Sequence, residues 1–275
     1  MENLIRGFKE NKAFRISSCL VFLLLAVTLL AQVIAPYDPL EAIMRNANAA
    51  PSAEHLFGTD KLGRDVLSRI LYGASYSLSS VICLVALIFV VGTTLGVIAG
   101  YSGGIVDTVI MRIADMMISF PGVILAIAIA GILGGSLFNA MVALLCVTWT
   151  KYARLSRSMV LKIKKHDFVS AAVVSGGSSV HILWVHILPN ILPLMIITAA
   201  ADIGAMMMEL AGLSFLGFGS QPPAPEWGLM LNEGRQQLQT APWLMIFPGL
   251  AIFITVVIFN LWGDSLRDVL DPRQD

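Results

Sequence analysis

The chain has 275 residues, 57% hydrophobic and 13% charged, with 18 basic side chains against 18 acidic ones and a mean hydropathy of +0.80. Soluble domains carry about a quarter charged residues, so an ordinary globular domain is excluded and a polytopic membrane protein is indicated. The zero charge balance gives no pointer to nucleic acid, which is not expected as a partner. Cys19, Cys83 and Cys146 each fall inside an apolar run with no CxxC spacing, so they read as packing residues, with no disulfide framework or zinc site expected.

At the N-terminus, Arg6, Lys9, Lys12 and Arg15 precede an apolar run from Ile16 to Ala35. That run has the length of a full bilayer span, about 20 residues, whereas the apolar region of a signal peptide is about 7–15. Pro36 would also make cleavage awkward, so a retained first helix is expected. Six spans follow from hydropathy, over 16–35, 77–100, 110–134, 137–153, 187–217 and 244–262. In domain terms, 1–35 is a cytoplasmic N-terminus with the first span and 36–76 an extracytoplasmic segment. Residues 77–262 are expected to form the membrane-spanning core, with a loop near 162–186, and 263–275 a cytoplasmic tail.

The second span holds no charge between Ser77 and Gly100, and Gly92, Gly96 and Gly100 form a stripe suited to close helix packing. In the third, Arg112 and Asp115 stand at i and i+3, where they can pair, and Pro121 should kink the helix. The fourth closes on Lys151 and Arg154, which can snorkel to the surface.

Lys and Arg set the orientation. With the N-terminus inside, the inner side holds Arg6, Lys9, Lys12, Arg15, Arg112, Lys151, Arg154, Arg157, Lys162, Lys164, Lys165, Arg267 and Arg273. The outer side holds only Arg45, Lys61, Arg64, Arg69 and Arg235, so both termini are expected in the cytoplasm. The outer segments 36–76 and 218–243 are longer than connectors require, which suits binding or gating. For Trp227 and Trp243 the favoured reading is plainer: headgroup anchors on an interfacial cover.

The loop after the fourth span runs Lys162, Lys164, Lys165, then Asp167-Phe168-Val169-Ser170-Ala171-Ala172, Gly176-Gly177 and Ile187-Leu188-Pro189-Asn190. Small side chains let two protein surfaces approach closely, so this loop is expected to dock into another protein. The chain has no G-x-x-x-x-G-K-[ST], so any ATP used is hydrolysed by another chain.

In the fifth span Asp202 and Glu209 are seven residues apart, on one face after about two turns. A charge at mid-bilayer costs at least about 2.5–3.5 kcal/mol, so each should face a pathway or bond a neighbouring subunit. The Met206-Met207-Met208 run cannot form one thioether site, because consecutive helical residues diverge, and flexible core packing is expected of it. Met206 alone is grouped with Asp202 and Glu209 as a candidate path residue. His55, His166, His181 and His186 are dispersed, and the spacing of five between the last two lacks the i,i+4 relation of a helical metal pair. No metal site and no catalytic residue are assigned.

The docking loop resembles the "EAA" loop of bacterial ABC-importer permeases: E-A-A, three residues, G, nine residues, I-x-L-P. Ala171-Ala172, Gly176, Leu188 and Pro189 match, with Ser170 in place of the Glu and His186 in place of the Ile. The string Phe57-Gly58-Thr59-Asp60-Lys61-Leu62-Gly63-Arg64-Asp65-Val66-Leu67-Ser68-Arg69 is similar to one subfamily, the C-type permease subunit of the dipeptide/oligopeptide/nickel importers. So are Leu213-Ser214-Phe215-Leu216-Gly217, Glu226-Trp227-Gly228, Phe247-Pro248-Gly249-Leu250 and Asn260 to Pro272. The resemblance implies an all-α type I importer permease in the bacterial inner membrane, with Asp167, Ser170, Ala171, Ala172, Gly176, Gly177, Leu188 and Pro189 in the ATPase-coupling segment. It also implies a second homologous permease, two cytoplasmic ATPases binding ATP and Mg, and an extracytoplasmic solute-binding protein. No cofactor is implied for this chain beyond membrane lipid contact.

The stretch Ile203 to Leu213 is somewhat closer to the nickel-importing members, through the Met run and Gly212, with peptide as the other cargo. Two rivals stand beside this reading. A self-sufficient secondary transporter or channel would leave the small-residue loop unexplained. An intramembrane protease would have to use Ser178 or Ser179 near His181 and His186, outside any buried site.

Overall fold

A computed structural model of the chain describes residues 7–270. Among them there is no β-strand. The helices are α1 (Lys12–Leu29), α2 (Ala31–Ile34), α3 (Val66–Ser102), α4 (Gly104–Ile118), α5 (Gly122–Leu133), α6 (Leu137–Ile163), α7 (Asp167–Val174), α8 (Ser179–Ile182), α9 (Leu188–Phe215), α10 (Trp227–Gly234) and α11 (Trp243–Leu270). A π-helical turn, Leu183–Ile187, joins α8 to α9. Arg6, Arg273 and the Asp271-Pro272 end of the terminal string lie outside the described residues.

Four segments are long and apolar enough to cross a membrane: α1, α3, α8 through α9, and α11. The third expected span is two helices, α4 and α5, that meet at 93°. Pro121 supplies the break, since it has no N–H to continue the ladder and disfavours helical geometry in the residue before it. The fourth, α6, has 27 residues and is not among the strongly apolar helices, because Lys151, Arg154, Arg157 and Lys162 occupy its second half.

Packing shows that α6 is nevertheless a crossing helix. A Cβ added at Gly92 would meet Tyr152 and the Trp149 carbonyl, at Gly96 it would meet Ser156 and Ala153, and at Gly100 it would meet Val160 and Arg157. Both series ascend together, so α3 and α6 run parallel. A chain that returns to run parallel to an earlier span must first recross the bilayer, and only the α4–α5 pair is available to do it. Counting α6 on this packing argument, the described residues make six passes, one of them bent. By the same logic α1 and α11 are antiparallel: Ser17 bonds Ser265 at 2.8 Å, and Trp262 Nε1 donates to Ser18 Oγ at 3.2 Å.

The glycine stripe is thus what seats α6 on α3. Replacing Gly96 with Leu drives a side chain into the Ala153 backbone, which cannot yield as a flexible side chain would. Overpacking of this kind costs about 1–3 kcal/mol or more. The expected result is a lower melting temperature and a smaller monodisperse fraction in detergent, whereas Gly212→Leu, into open space, leaves both unchanged.

α3 starts at Val66, eleven residues before the expected span. At 37 residues it is about 55 Å long against about 30 Å of hydrocarbon, so its first turns stand outside the core of the bilayer. There they anchor the outer segments. Asp65 caps the helix by accepting from Ser68 N at 2.8 Å, and His55 Nδ1 lies 2.9 Å from the other Asp65 oxygen. The Asp60-Lys61-Leu62-Gly63-Arg64 turn closes on Asp60 Oδ1, which accepts from Leu62 N and Arg64 N, while Gly63 takes φ +77. Arg64 Nε donates to Asp60 at 2.6 Å and Arg69 Nη2 to Glu233 at 2.8 Å, with Arg64 and Arg69 both nearly fully buried.

The tryptophans correct the sequence reading. Trp227 is 2% exposed and donates from Nε1 to the Ile70 carbonyl at 2.9 Å, and Trp243 Nε1 donates to the Thr59 carbonyl at 3.1 Å. Trp227 ties the second outer segment to α3 and Trp243 ties the start of α11 to the first outer segment, so they are not headgroup anchors. Glu226 caps α10 by accepting from Gly228 N and Leu229 N, and its burial raises its carboxyl above the ordinary glutamate range.

Candidate functional site

Two places are candidates for function: the segment between α6 and α9, and the face shared by α6 and α9. In the first, α7 is anchored by one side. Val169 is buried against Ile163, Ile182 and Ile187, with Ala172 packed partly beneath it. The opposite side stands clear. Asp167, Ser170 and Ala171 are exposed, Val174 is 88% exposed, and Phe168, Val173, Val180 and Trp184 are all exposed large apolar groups. Gly176 ends the helix with φ +82, and Gly177 N returns to the Ala172 carbonyl at 3.0 Å, so the chain reverses in two residues. Leu188 is half-buried and Pro189 exposed at the start of α9. The eight expected coupling residues thus fall in one continuous segment, from α7 to the first turn of α9.

The end of α6 that leads into this segment is braced on α3 and α4 by charge. Arg157 makes a two-pronged pair with Asp107 of α4 at 2.5 and 2.6 Å, and Arg154 pairs with Asp115. Asp115 therefore does not pair with Arg112 along its own helix, as its i,i+3 spacing suggested. It turns to α6, because α4 lies alongside the half of α6 where Arg154 and Arg157 project. Lys164 Nζ donates to the Tyr101 carbonyl at 2.7 Å and sits 5.1 Å above the Tyr101 ring.

On the second face, Asp202 accepts from Lys151 Nζ at 2.7 and 2.8 Å and from the Tyr152 hydroxyl at 2.9 Å. Lys151 is adjacent in sequence to Tyr152 and fell at the end of an expected span, so its partner could not be read from spacing. Glu209 is half-buried about 10 Å further along α9. Met206 does not join these acids: it is 4% exposed, in the core with Met207, and only Met208 faces outward. Among the described residues no group of three or more His, Cys, Asp or Glu is placed to hold a metal ion.

Six passes, a polar strip between two of them and a small-residue helix held off one end describe a membrane permease subunit. Residues 92–275 match the family model for the binding-protein-dependent transport system inner membrane component, and residues 2–51 match the N-terminal TM domain of oligopeptide transport permease C. The dipeptide transport system permease protein DppC of Alkalihalophilus pseudofirmus is 43% identical over 98% of this chain and 88% of its own length. The nickel transport system permease protein NikC of Escherichia coli K12 is 41% identical over 94% of each chain, and the glutathione transport system permease protein GsiD of Pectobacterium atrosepticum is 44% identical over 98% and 89%. The inward-facing MetNI methionine ABC transporter shares the fold, with a TM-score of 0.59 at 20% identity over 74% of this chain and 97% of its own. The chain belongs to the family of binding-protein-dependent inner membrane transport components, as a non-catalytic permease subunit of an ABC importer with the type I fold.

Proposed function

We propose that this chain forms half of an import path, pairing with a second homologous permease above two cytoplasmic ATPases that bind ATP and Mg. An extracytoplasmic binding protein delivers the solute to the outer segments 36–76 and 218–243. Both termini lie in the cytoplasm of a bacterial inner-membrane protein. The observation that supports this most is α7, whose small and apolar outer side is exposed although its inner side is packed. Asp167, Ser170, Ala171, Ala172, Gly176, Gly177, Leu188 and Pro189 carry ATP-driven motion from the ATPase into α6 and α9, a rigid-body change of access.

Topology is checked with a cysteine at Ser52 or Gln221, both exposed, in a background without the three native cysteines. An impermeant maleimide added to intact spheroplasts is expected to react at both sites, whereas labelling of a C-terminal cysteine with protection of Ser52→Cys reverses the orientation.

For cargo, the Lys151–Asp202 pair and Glu209 offer both signs of charge, which suits a short peptide with its two charged ends. Nickel, carried by the NikC relative, is the second reading. Met206 and Met207 are turned into the core and supply it no thioether, leaving Asp202 and Glu209 as its attractive groups. Deletion of the gene is expected to give resistance to toxic short peptides with unchanged cellular nickel. Loss of nickel and of nickel-enzyme activity, restored by excess nickel, would transfer the assignment to the metal.

A further inference from the structure

On an α-helix, residues five apart are separated by about 140° around the axis, so His181 and His186 should diverge. The π-helical turn Leu183–Ile187 removes that separation. Leu188 N donates to the Leu183 carbonyl, closing a ring one residue wider than an α-turn, and a turn of this width returns the fifth residue over the first. The two imidazole ring centres are 6.0 Å apart, with planes at 82°.

The sequence explains the turn. Pro189 has no N–H to offer the Val185 carbonyl, and its ring would crowd that oxygen in a regular helix. Widening the preceding turn by one residue relieves both problems. The ends are pinned as well: Ser178 Oγ accepts from His181 N at 3.3 Å, and Asn190 Nδ2 donates to the His186 carbonyl at 2.6 Å. His181 is exposed and His186 half-exposed, so the pair is open to solutes. Phe168 of α7 lies 6.1 Å from the His186 ring and stacks on His166 at 5.6 Å, which links the pair to the coupling helix.

We propose that His181 and His186 form a two-imidazole site for a divalent transition-metal ion, with water filling the remaining positions. Two imidazoles on one tetrahedral ion, with N–metal distances of about 2.0–2.1 Å, place their ring centres about 5 Å apart. The observed separation closes to that with a small rotation of the exposed His181 side chain. Neutral imidazole suits Zn²⁺, Ni²⁺ and Cu²⁺, and excludes the oxygen-seeking Mg²⁺ and Ca²⁺. A bound ion cross-links α8 to the last residues of the π-turn. Through the Phe168–His186 contact it stiffens the joint between α7 and α9, where the coupling motion must pass. That consequence rests on the coupling role proposed above, whereas the binding itself does not.

The test uses the full chain, purified through a tag without histidines and reconstituted in nanodiscs, titrated by calorimetry with ZnCl₂ and separately with NiCl₂. One ion per chain is expected, with affinity reduced about 10-fold or more by His181→Ala or His186→Ala and unchanged by His166→Ala or His55→Ala. Nitrogen hyperfine splitting in the Cu²⁺ resonance spectrum should report two equivalent imidazoles, falling to one in either variant. Absence of saturable binding, or binding unchanged in the His181→Ala/His186→Ala double variant, overturns the proposal. In the assembled transporter, ATPase activity should respond to Zn²⁺ only when both histidines are present. Stoichiometric binding with an indifferent ATPase supports the site and counts against the coupling role instead.

Discussion

Ala171→Trp should abolish transport while leaving the chain inserted and folded. Ala171 is an exposed position on a regular helix, on the side of α7 opposite the buried Val169, so an indole there meets nothing within the chain. Against a partner groove shaped for a methyl group it forces the surfaces apart, and losing a central contact of this kind costs about 2 kcal/mol or more, roughly 30-fold in association. The measurements are recovery of the ATPases with an affinity-tagged permease and ATP-driven uptake into proteoliposomes, both expected to collapse with a normal melting temperature. Normal recovery and uptake would remove α7 from the docking surface. Gly176→Trp is the less clean experiment. Its backbone sits at φ +82 with open space around it, so any side chain adds about 1–2 kcal/mol of left-handed strain to whatever it does at the interface.

The parts of the molecule legible in the sequence are those whose signal is local. The apolar runs gave the crossings, the three glycines at i, i+4 and i+8 gave the seat for α6, and Pro121 gave the break that became a 93° bend. The exposed small-residue helix α7 and the turn after it were legible too, because small residues, a glycine pair and a proline lie close together along the chain. What could not be read depends on which helices become neighbours. Asp115 had an arginine three residues away and bonded another 39 positions on, since α4 lies against α6. Asp202 found Lys151 and Tyr152 in the same way. Trp227 and Trp243 looked like interfacial aromatics because nothing in their own segment shows that the Ile70 and Thr59 carbonyls await donors. His181 and His186 failed a helical spacing rule that the π-turn suspends. In this last case the cause was printed locally, as Pro189, but its effect on the turn before it was not.

The largest stability effect is expected at the outer end of α3, from Glu233→Ala. Asp60, Arg64, Arg69 and Glu233 form a group of two cations and two anions, with Arg69 Nη2 2.8 Å and Arg64 Nη2 3.3 Å from Glu233 and Arg64 Nε 2.6 Å from Asp60. The side chains of Arg64 and Arg69 are 3% and 1% exposed and that of Glu233 12%, so water screens the group poorly. As built, it is neutral. Removing Glu233 leaves a net buried positive charge shared between two arginines that also repel each other, and breaking a buried pair from one side costs about 3–5 kcal/mol. Removing both partners, as Arg69→Met with Glu233→Ala, leaves the neutral Asp60–Arg64 pair in place. The double variant should therefore be more stable than Glu233→Ala alone, although it has lost more of the native side chains. Thermal unfolding in nanodiscs, followed by reactivity of the buried cysteine in a Val66→Cys reporter, gives the order directly. If the double variant falls by the sum of the two single ones, the residues act independently and the outer segments are held by packing and the tryptophan bonds alone.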